Sequence, residues 1–245
     1  MSTHVNTVSH ERGLQLFFIY TFWLMAFGLM VTAGVAYWVQ SNETLFQSLT
    51  YITETVNESG ETERSFGASG LWWFIAIAEL GLVFVLASMG LSKKIGLATA
   101  GSLFALYAAM NGFTLAPVLY MYTEASVSKV FLITAGTFGA SAFWGHTTKT
   151  NLLSLGGFFM QALFGLIIVL IVSWFFQSRV MDMVISGAAV LLFIGITAFD
   201  MQKLRLMYEE DGWSWGLAVY GALSLYLDFV NMLIHLLRLF GVKKD

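Results

Sequence analysis

The chain has 245 residues, of which 58% are hydrophobic, 16% aromatic and only 11% charged, and it contains no cysteine. An average soluble domain is about a quarter charged, so a water-soluble fold is excluded and much of the surface must face lipid. A formal net charge of -3, with no Lys/Arg run longer than the pairs Lys93-Lys94 and Lys243-Lys244, excludes nucleic acid as a partner, and the lack of cysteine removes disulfides, thiolate metal sites and thiol redox chemistry together.

A single proline, Pro117, suits long uninterrupted helices rather than the turn-rich strands of a membrane barrel, so the fold reads as all-α. The first apolar run, Leu14 to Gln40, is far longer than the roughly 7–15 residues of a signal-peptide core and reads as a retained helix. A crossing needs about 20 mainly apolar residues. By that measure seven segments follow one another: Leu14 to Gln40, Gly70 to Leu91, Ile95 to Tyr122, Val127 to Trp144, Leu152 to Phe176, Met183 to Tyr208, and Trp215 to Phe240. Residues 1–245 then form one transmembrane domain, because only the stretch 41–69 is long enough to be a sizeable loop. That stretch is acidic, with Glu43, Glu54, Glu58, Glu61 and Glu63 against Arg64, and reads as solvated. Pro117 is expected to kink or end the third helix. Gly136 and Ala140, four residues apart in the fourth, are expected to let helix backbones approach closely.

Orientation is read from Lys and Arg in the short loops. A cytoplasmic N-terminus places Arg12, Lys93, Lys94, Lys149, Lys203 and Arg205 inside, against Arg64, Lys129 and Arg179 outside. Seven full crossings would put Arg238, Lys243 and Lys244 outside as well and erase that bias, whereas a last segment that re-enters and returns would strengthen it. The charges therefore favour a cytoplasmic N-terminus and leave the C-terminus open.

Charged groups near the bilayer centre cost about 2.5–3.5 kcal/mol each on insertion scales, so every one present needs a partner or a purpose. Glu79 lies near the middle of the second segment, Asp200 toward one end of the sixth, and Asp228 halfway along the seventh. Ser224, Asp228, Asn231, His235 and Arg238 recur at spacings of 4, 3, 4 and 3, which puts all five on one stripe of a helix that is otherwise apolar. A seam of that length must face protein or water, and it suggests that the last helix is at the centre of the bundle. Simpler roles remain open for several of these residues. Glu79 could be a hydrogen-bond partner that only fixes packing, His235 a satisfied interior histidine, and Arg238 a side chain that snorkels to the interface.

Two buried carboxyls brought together cannot both ionise cheaply, so such a pair shares a proton. Protonation would let the helices close; deprotonation would repel them and offer oxygen ligands to a hard cation such as Ca²⁺. A few carboxylates fall short of the roughly 6–8 oxygens of a tight calcium site, which fits passage better than storage. Counted from the loop between them, Asp200 lies about 12 Å deep and Asp228 about 20 Å, so tilt or a dipping loop must close an offset.

At these residues the chain resembles a known family. GALSLYLDFVNMLIHLLR, Gly221 to Arg238, is similar to the C-terminal signature of the Bax inhibitor-1 family, and FDMQKL, Phe199 to Leu204, resembles its aspartate-containing sixth helix. The resemblance implies seven helices with the last one central, and a pH-sensitive calcium leak controlled by an aspartate pair that falls on Asp200 and Asp228, with calcium a transient permeant ion and no other cofactor. In some bacterial relatives an arginine ending the second helix pairs with the sixth-helix aspartate; here Gly90 holds that place, with Lys93 and Lys94 just beyond, and Phe199 replaces a tyrosine often found before the aspartate. Animal members restrain cell death at the endoplasmic reticulum and some bacterial members bind a membrane protease, so the alternative function is a non-transporting regulator that binds other membrane proteins. A short chain with no obvious organelle signal points to a bacterial inner membrane.

An enzyme is not expected. The GxGD motif of intramembrane aspartyl proteases is absent. Gly67 to Gly70 reads GASG but falls at a loop end rather than opposite a membrane histidine, and no lysine between Lys203 and Lys243 could form a retinal Schiff base.

Overall fold

The structure is a computed structural model describing residues 2–56, 62–90, 95–173, 175 and 178–244. Eight α-helices carry the architecture: α1 (Ser2–Ser41), α2 (Glu43–Leu49), α3 (Gly70–Gly90), α4 (Leu97–Tyr120), α5 (Glu124–Thr147), α6 (Gly156–Ser173), α7 (Arg179–Asp211) and α8 (Trp215–Phe240). All except α2 are long and apolar enough to cross a membrane, which gives the seven spans that the hydrophobic runs predict. The last span has the boundaries read from the sequence. The sixth is longer than expected at both ends, since Ser178 caps α7 ahead of Met183 and the helix continues past Tyr208 to Asp211.

The region 41–69 is more ordered than its composition suggests. Asn42 caps the short helix α2 by accepting from the Leu45 amide, and the antiparallel strands β1 (Thr50–Val56) and β2 (Thr62–Ala68) form a hairpin in register from Thr50 opposite Ala68 to Val56 opposite Thr62. β1 reads TYITETV, rich in β-branched residues that favour a pleated strand. An all-α bundle thus carries a small two-stranded cap. Glu54, Glu63 and Arg64 fall in its strands, while Glu58 and Glu61 lie outside the described residues. Ser69, the serine of the GASG stretch, gives its hydroxyl proton to the Ser48 carbonyl at 2.7 Å.

Burial distinguishes the spans. In α8, 72% of the apolar window is buried, in α6 none of it, and in the other five at most 39%. Helix α6 therefore faces lipid, whereas α8 packs against α1, α3, α4, α5 and α7. Close approach elsewhere depends on glycine. A Cβ at Gly112 in α4 would stand 2.8 Å from the Thr32 carbonyl oxygen in α1, and one at Gly145 in α5 would run into the backbone of Ala198 in α7. By contrast, Gly136 has open space where its side chain would be, and Ala140 is exposed. The expected contact at that pair is not made, because the spacing of small residues does not reveal which face of the helix meets a neighbour.

Pro117 is inside α4, which ends three residues later at Tyr120. The end of α8 is stitched to the turn that follows. The Thr123 amide donates to the Val242 carbonyl at 2.9 Å, the Lys244 amide to the Met121 carbonyl at 2.9 Å, and the Val242 amide to Ser126 Oγ at 2.8 Å. Since α8 is one continuous helix running from the α7–α8 turn to the α4–α5 turn, it does not re-enter and return. With seven crossings the two chain ends lie on opposite sides, and the Lys/Arg bias that a re-entrant last segment would have produced is absent.

Candidate functional site

Helices α7 and α8 are joined by three residues. Gly212 ends α7 at φ +75°, a left-handed backbone that suits glycine, and Ser214 caps α8 by accepting from the Leu217 amide at 3.0 Å. So short a connection fixes an antiparallel register. Lys203 Nζ donates to the Tyr220 hydroxyl at 2.8 Å, Ser224 Oγ donates to Asp200 Oδ2, and farther along His235 Nδ1 lies 3.5 Å from Ser186 Oγ.

This register leaves the depth offset in place, with no tilt or dipping loop closing it. The residue level with Asp200 is Ser224, and Asp228 is one turn deeper, about 6 Å along the axis. There it faces Thr197, one turn before Asp200, across the helix pair. Each carboxyl thus meets a hydroxyl from the opposite helix, and the two acids are staggered by a turn within electrostatic reach of each other. Both are buried. Their satisfaction differs, however. Asp200 receives the Ser224 proton and has the Lys203 ammonium nearby, while Thr197 gives its only proton to the Phe193 carbonyl at 2.7 Å. Asp228 Oδ2 has no hydrogen-bond partner among the described residues. Burying an ionised oxygen without a donor is costly, and either a proton on the carboxyl or a cation beside it relieves that cost.

The rest of the expected seam divides. Asn231 turns its amide back to the Leu227 carbonyl of its own helix at 2.8 Å. His235 is buried, stacked on Phe193 with ring centroids 6.3 Å apart. Arg238 is exposed near the helix end and acts electrostatically on Tyr122 in the α4–α5 turn; burial pushes that phenol above its ordinary range, and the guanidinium opposes the shift. Among the described residues no group of three or more His, Asp and Glu side chains could hold a metal ion.

Glu79 meets α8 on its other side. Its Oε1 accepts from Thr114 Oγ1 at 2.9 Å and its Oε2 from Asn111 Nδ2 at 3.4 Å. Asn111 Oδ1 accepts in turn from the Tyr226 hydroxyl at 2.8 Å, and that hydroxyl is 2.6 Å from Thr32 Oγ1. The chain of donors runs from α1 through α8 and α4 to a carboxylate on α3. Tyr226 and Asp228 are two residues apart, about 200° around the helix, so α8 carries polar contacts on two faces where the spacing showed one.

Sequence reading passed over Lys203, Thr197, Asn111, Thr114, Thr32 and Tyr226. One signal was available: Lys203 is three residues from Asp200 and hence on the same helical face. Its charge acts on Asp200, while Lys93 and Lys94 lie outside the described residues. The other five are joined only by tertiary packing.

Comparison with known proteins gives matches along almost the whole chain. Residues 14–245 match the family model described as inhibitor of apoptosis-promoting Bax1. Inner membrane protein YbhL of Escherichia coli strain K12 is 34% identical over 242 residues, covering 97% of this chain and 96% of its own. YrjE of Lactococcus lactis is 35% identical over 245 residues, covering 97% and 96%. The membrane protein SpyM3_0260 of Streptococcus pyogenes is 34% identical over 249 residues, covering 98% and 99%.

Proposed function

The chain belongs to the Bax inhibitor-1 family, and from that premise we propose that it is a pH-sensitive leak for calcium and similar cations, gated by one proton on the Asp200 and Asp228 pair. The observation that carries this reading is the buried, unpartnered Oδ2 of Asp228, one turn from a second buried carboxyl on the neighbouring helix. With a proton present the pair holds no net repulsion, and α7 and α8 stay closed on each other. Loss of the proton leaves two carboxylates in a poorly solvated space, which favours separation of the helices and attracts a hard cation. Two carboxyls and two hydroxyls offer at most about six oxygens, the lower limit of a tight calcium cage, and a stagger of about 6 Å keeps them from closing on one ion together, so the ion is released as easily as it is bound. Lys203 neutralises Asp200 in part, which leaves Asp228 as the residue whose proton decides the state.

The site of action in this reading is a bacterial inner membrane, as for the Escherichia coli relative, inner membrane protein YbhL. The N-terminus is cytoplasmic in this reading on the charges that precede α8, six against three, because the first helices usually set orientation and the balance is lost only when Arg238, Lys243 and Lys244 are counted.

The test is calcium flux into liposomes containing the purified full chain. Flux is expected to rise with pH in the parent and to lose its pH dependence in Asp228→Asn, which removes the charge at nearly constant volume. A folded Asp228→Asn protein with the parental pH profile refutes the gate. Vesicles that carry no flux at any pH, with binding to a membrane protease or another membrane protein intact, make the chain a non-transporting regulator instead.

A further inference from the structure

Between the N-terminal half of α1 and the C-terminal half of α5 a lateral groove of about 760 Å³ opens on the lipid side of the bundle. Phe18 and Met201, both buried, form its floor, and Trp23 and Phe143, 68% and 70% exposed, form its walls. The two helices run in opposite directions, and the Phe18 and His146 rings meet edge to face at 5.2 Å. Gln15 and His146 therefore end the groove at one level, and Ala26 and Gly139 at the other.

Apart from the Trp23 indole, the polar side chains lining the groove are Gln15 and His146, both at the end nearer the membrane surface. From Gln15 to Ala26 the helix rises about 17 Å, close to the roughly 15 Å hydrocarbon depth of a single leaflet. A partner helix crossing the bilayer would need a track about twice as long. The length, the polar outer end, the apolar inner end and the continuity with the lipid-facing surface all fit one occupant.

We propose that this groove binds one membrane phospholipid, its phosphate group at Gln15 and His146 and an acyl chain laid along α1 and α5 as far as Ala26 and Gly139. The lipid then packs against Met201, next to Asp200 on α7. Amide and imidazole N–H groups supply donors for phosphate oxygens, and the groove excludes water from the chain.

Native mass spectrometry of the delipidated full chain, titrated in detergent with dioleoyl phosphatidylglycerol or dioleoyl phosphatidylethanolamine, tests this directly. One lipid is expected to bind about tenfold more tightly than those that follow. A Cβ at Gly139 meets nothing within 4 Å, so Gly139→Trp fills the groove without displacing the helix, and it is expected to lose the tight lipid while melting like the parent. Gly165→Trp on lipid-facing α6, where the added Cβ is equally free, is expected to keep it. Should Gly139→Trp not fold, Ala26→Trp blocks the same groove from α1. Retention of the tight lipid in the filled variants, or its equal loss in Gly165→Trp, overturns the site. So does displacement by inorganic phosphate alone, which would make it a phosphate site, or a dimer that the filled variants dissociate, which would give the groove to a second copy.

Discussion

On one face of α8 the Tyr226 hydroxyl reaches, through Asn111, a carboxylate on α3 whose two oxygens both accept hydrogen bonds. On the opposite face Asp228 leaves one buried oxygen without a donor among the described residues. The same helix thus carries a completed polar network and an incomplete one. A satisfied network holds helices in place, because removing any member orphans its neighbours. An incomplete one stores the cost of an unpaired charge and responds to whatever supplies the missing partner. Burial alone does not separate the two, since Glu79, Asp200 and Asp228 are all buried.

The comparison is broken most decisively by exchanging the roles of the two acids. Asp228→Asn is expected to flatten the pH profile of calcium flux, whereas Glu79→Gln, which keeps an oxygen acceptor for Thr114, is expected to preserve it. Should Glu79→Gln flatten the profile instead, the distinction between the two faces is lost. Stability is expected to invert this order. Glu79→Leu orphans the Asn111 amide and leaves Thr114 only the Asn111 carbonyl of its own helix, and should cost about 1–3 kcal/mol for the donor left unpaired, read as a lowered melting temperature in detergent. Asp228→Asn should stay within about 1 kcal/mol of the parent, because little bonding is lost with the charge. Tyr226→Phe comes next. It removes the hydroxyl between Thr32 and Asn111 at an expected cost of about 0.5–1.5 kcal/mol, and no change in melting would show that the network contributes nothing. The smallest effect is expected for Lys203→Met. Loss of the cation near Asp200 lets the pair keep its proton to higher pH, so the flux midpoint should move to more alkaline pH with little change in melting, and an unmoved midpoint would show that Lys203 serves only Tyr220.

Much of the fold was legible because lipid imposes a simple length rule. The seven apolar runs were plain, and the 4-3-4-3 spacing on the last helix located Ser224 and Asp228 on the face that meets α7. The depth of Asp228 beyond Asp200 was nearly legible, since counting from the segment ends gives about 8 Å and the register leaves about 6 Å; what the count could not show is that a hydroxyl from the opposite helix stands beside each acid. The network on the other face of α8 could not be read at all. Tyr226 looks like one more aromatic among apolar neighbours, and its partners come from α1 and α4, more than 100 residues away in sequence. Nor did small-residue spacing say which glycine matters, because Gly145 abuts Ala198 while Gly136 abuts nothing. The hairpin escaped notice for a different reason: acidic residues in the stretch obscured a seven-residue strand that has no hydrophobic face long enough to signal itself.

The clasp between the C-terminal tail and the α4–α5 turn limits how α8 can move. Anchored there at one end and by the three-residue link from α7 at the other, the helix resists sliding along its length like a piston. A roll about its own axis, unlike a slide, leaves both of these anchors in place. Such a roll would carry Asp228 away from Thr197 while straining the Tyr226 tether on the far side, so in the proposed gate any displacement that followed loss of the proton would be opposed by the network behind it.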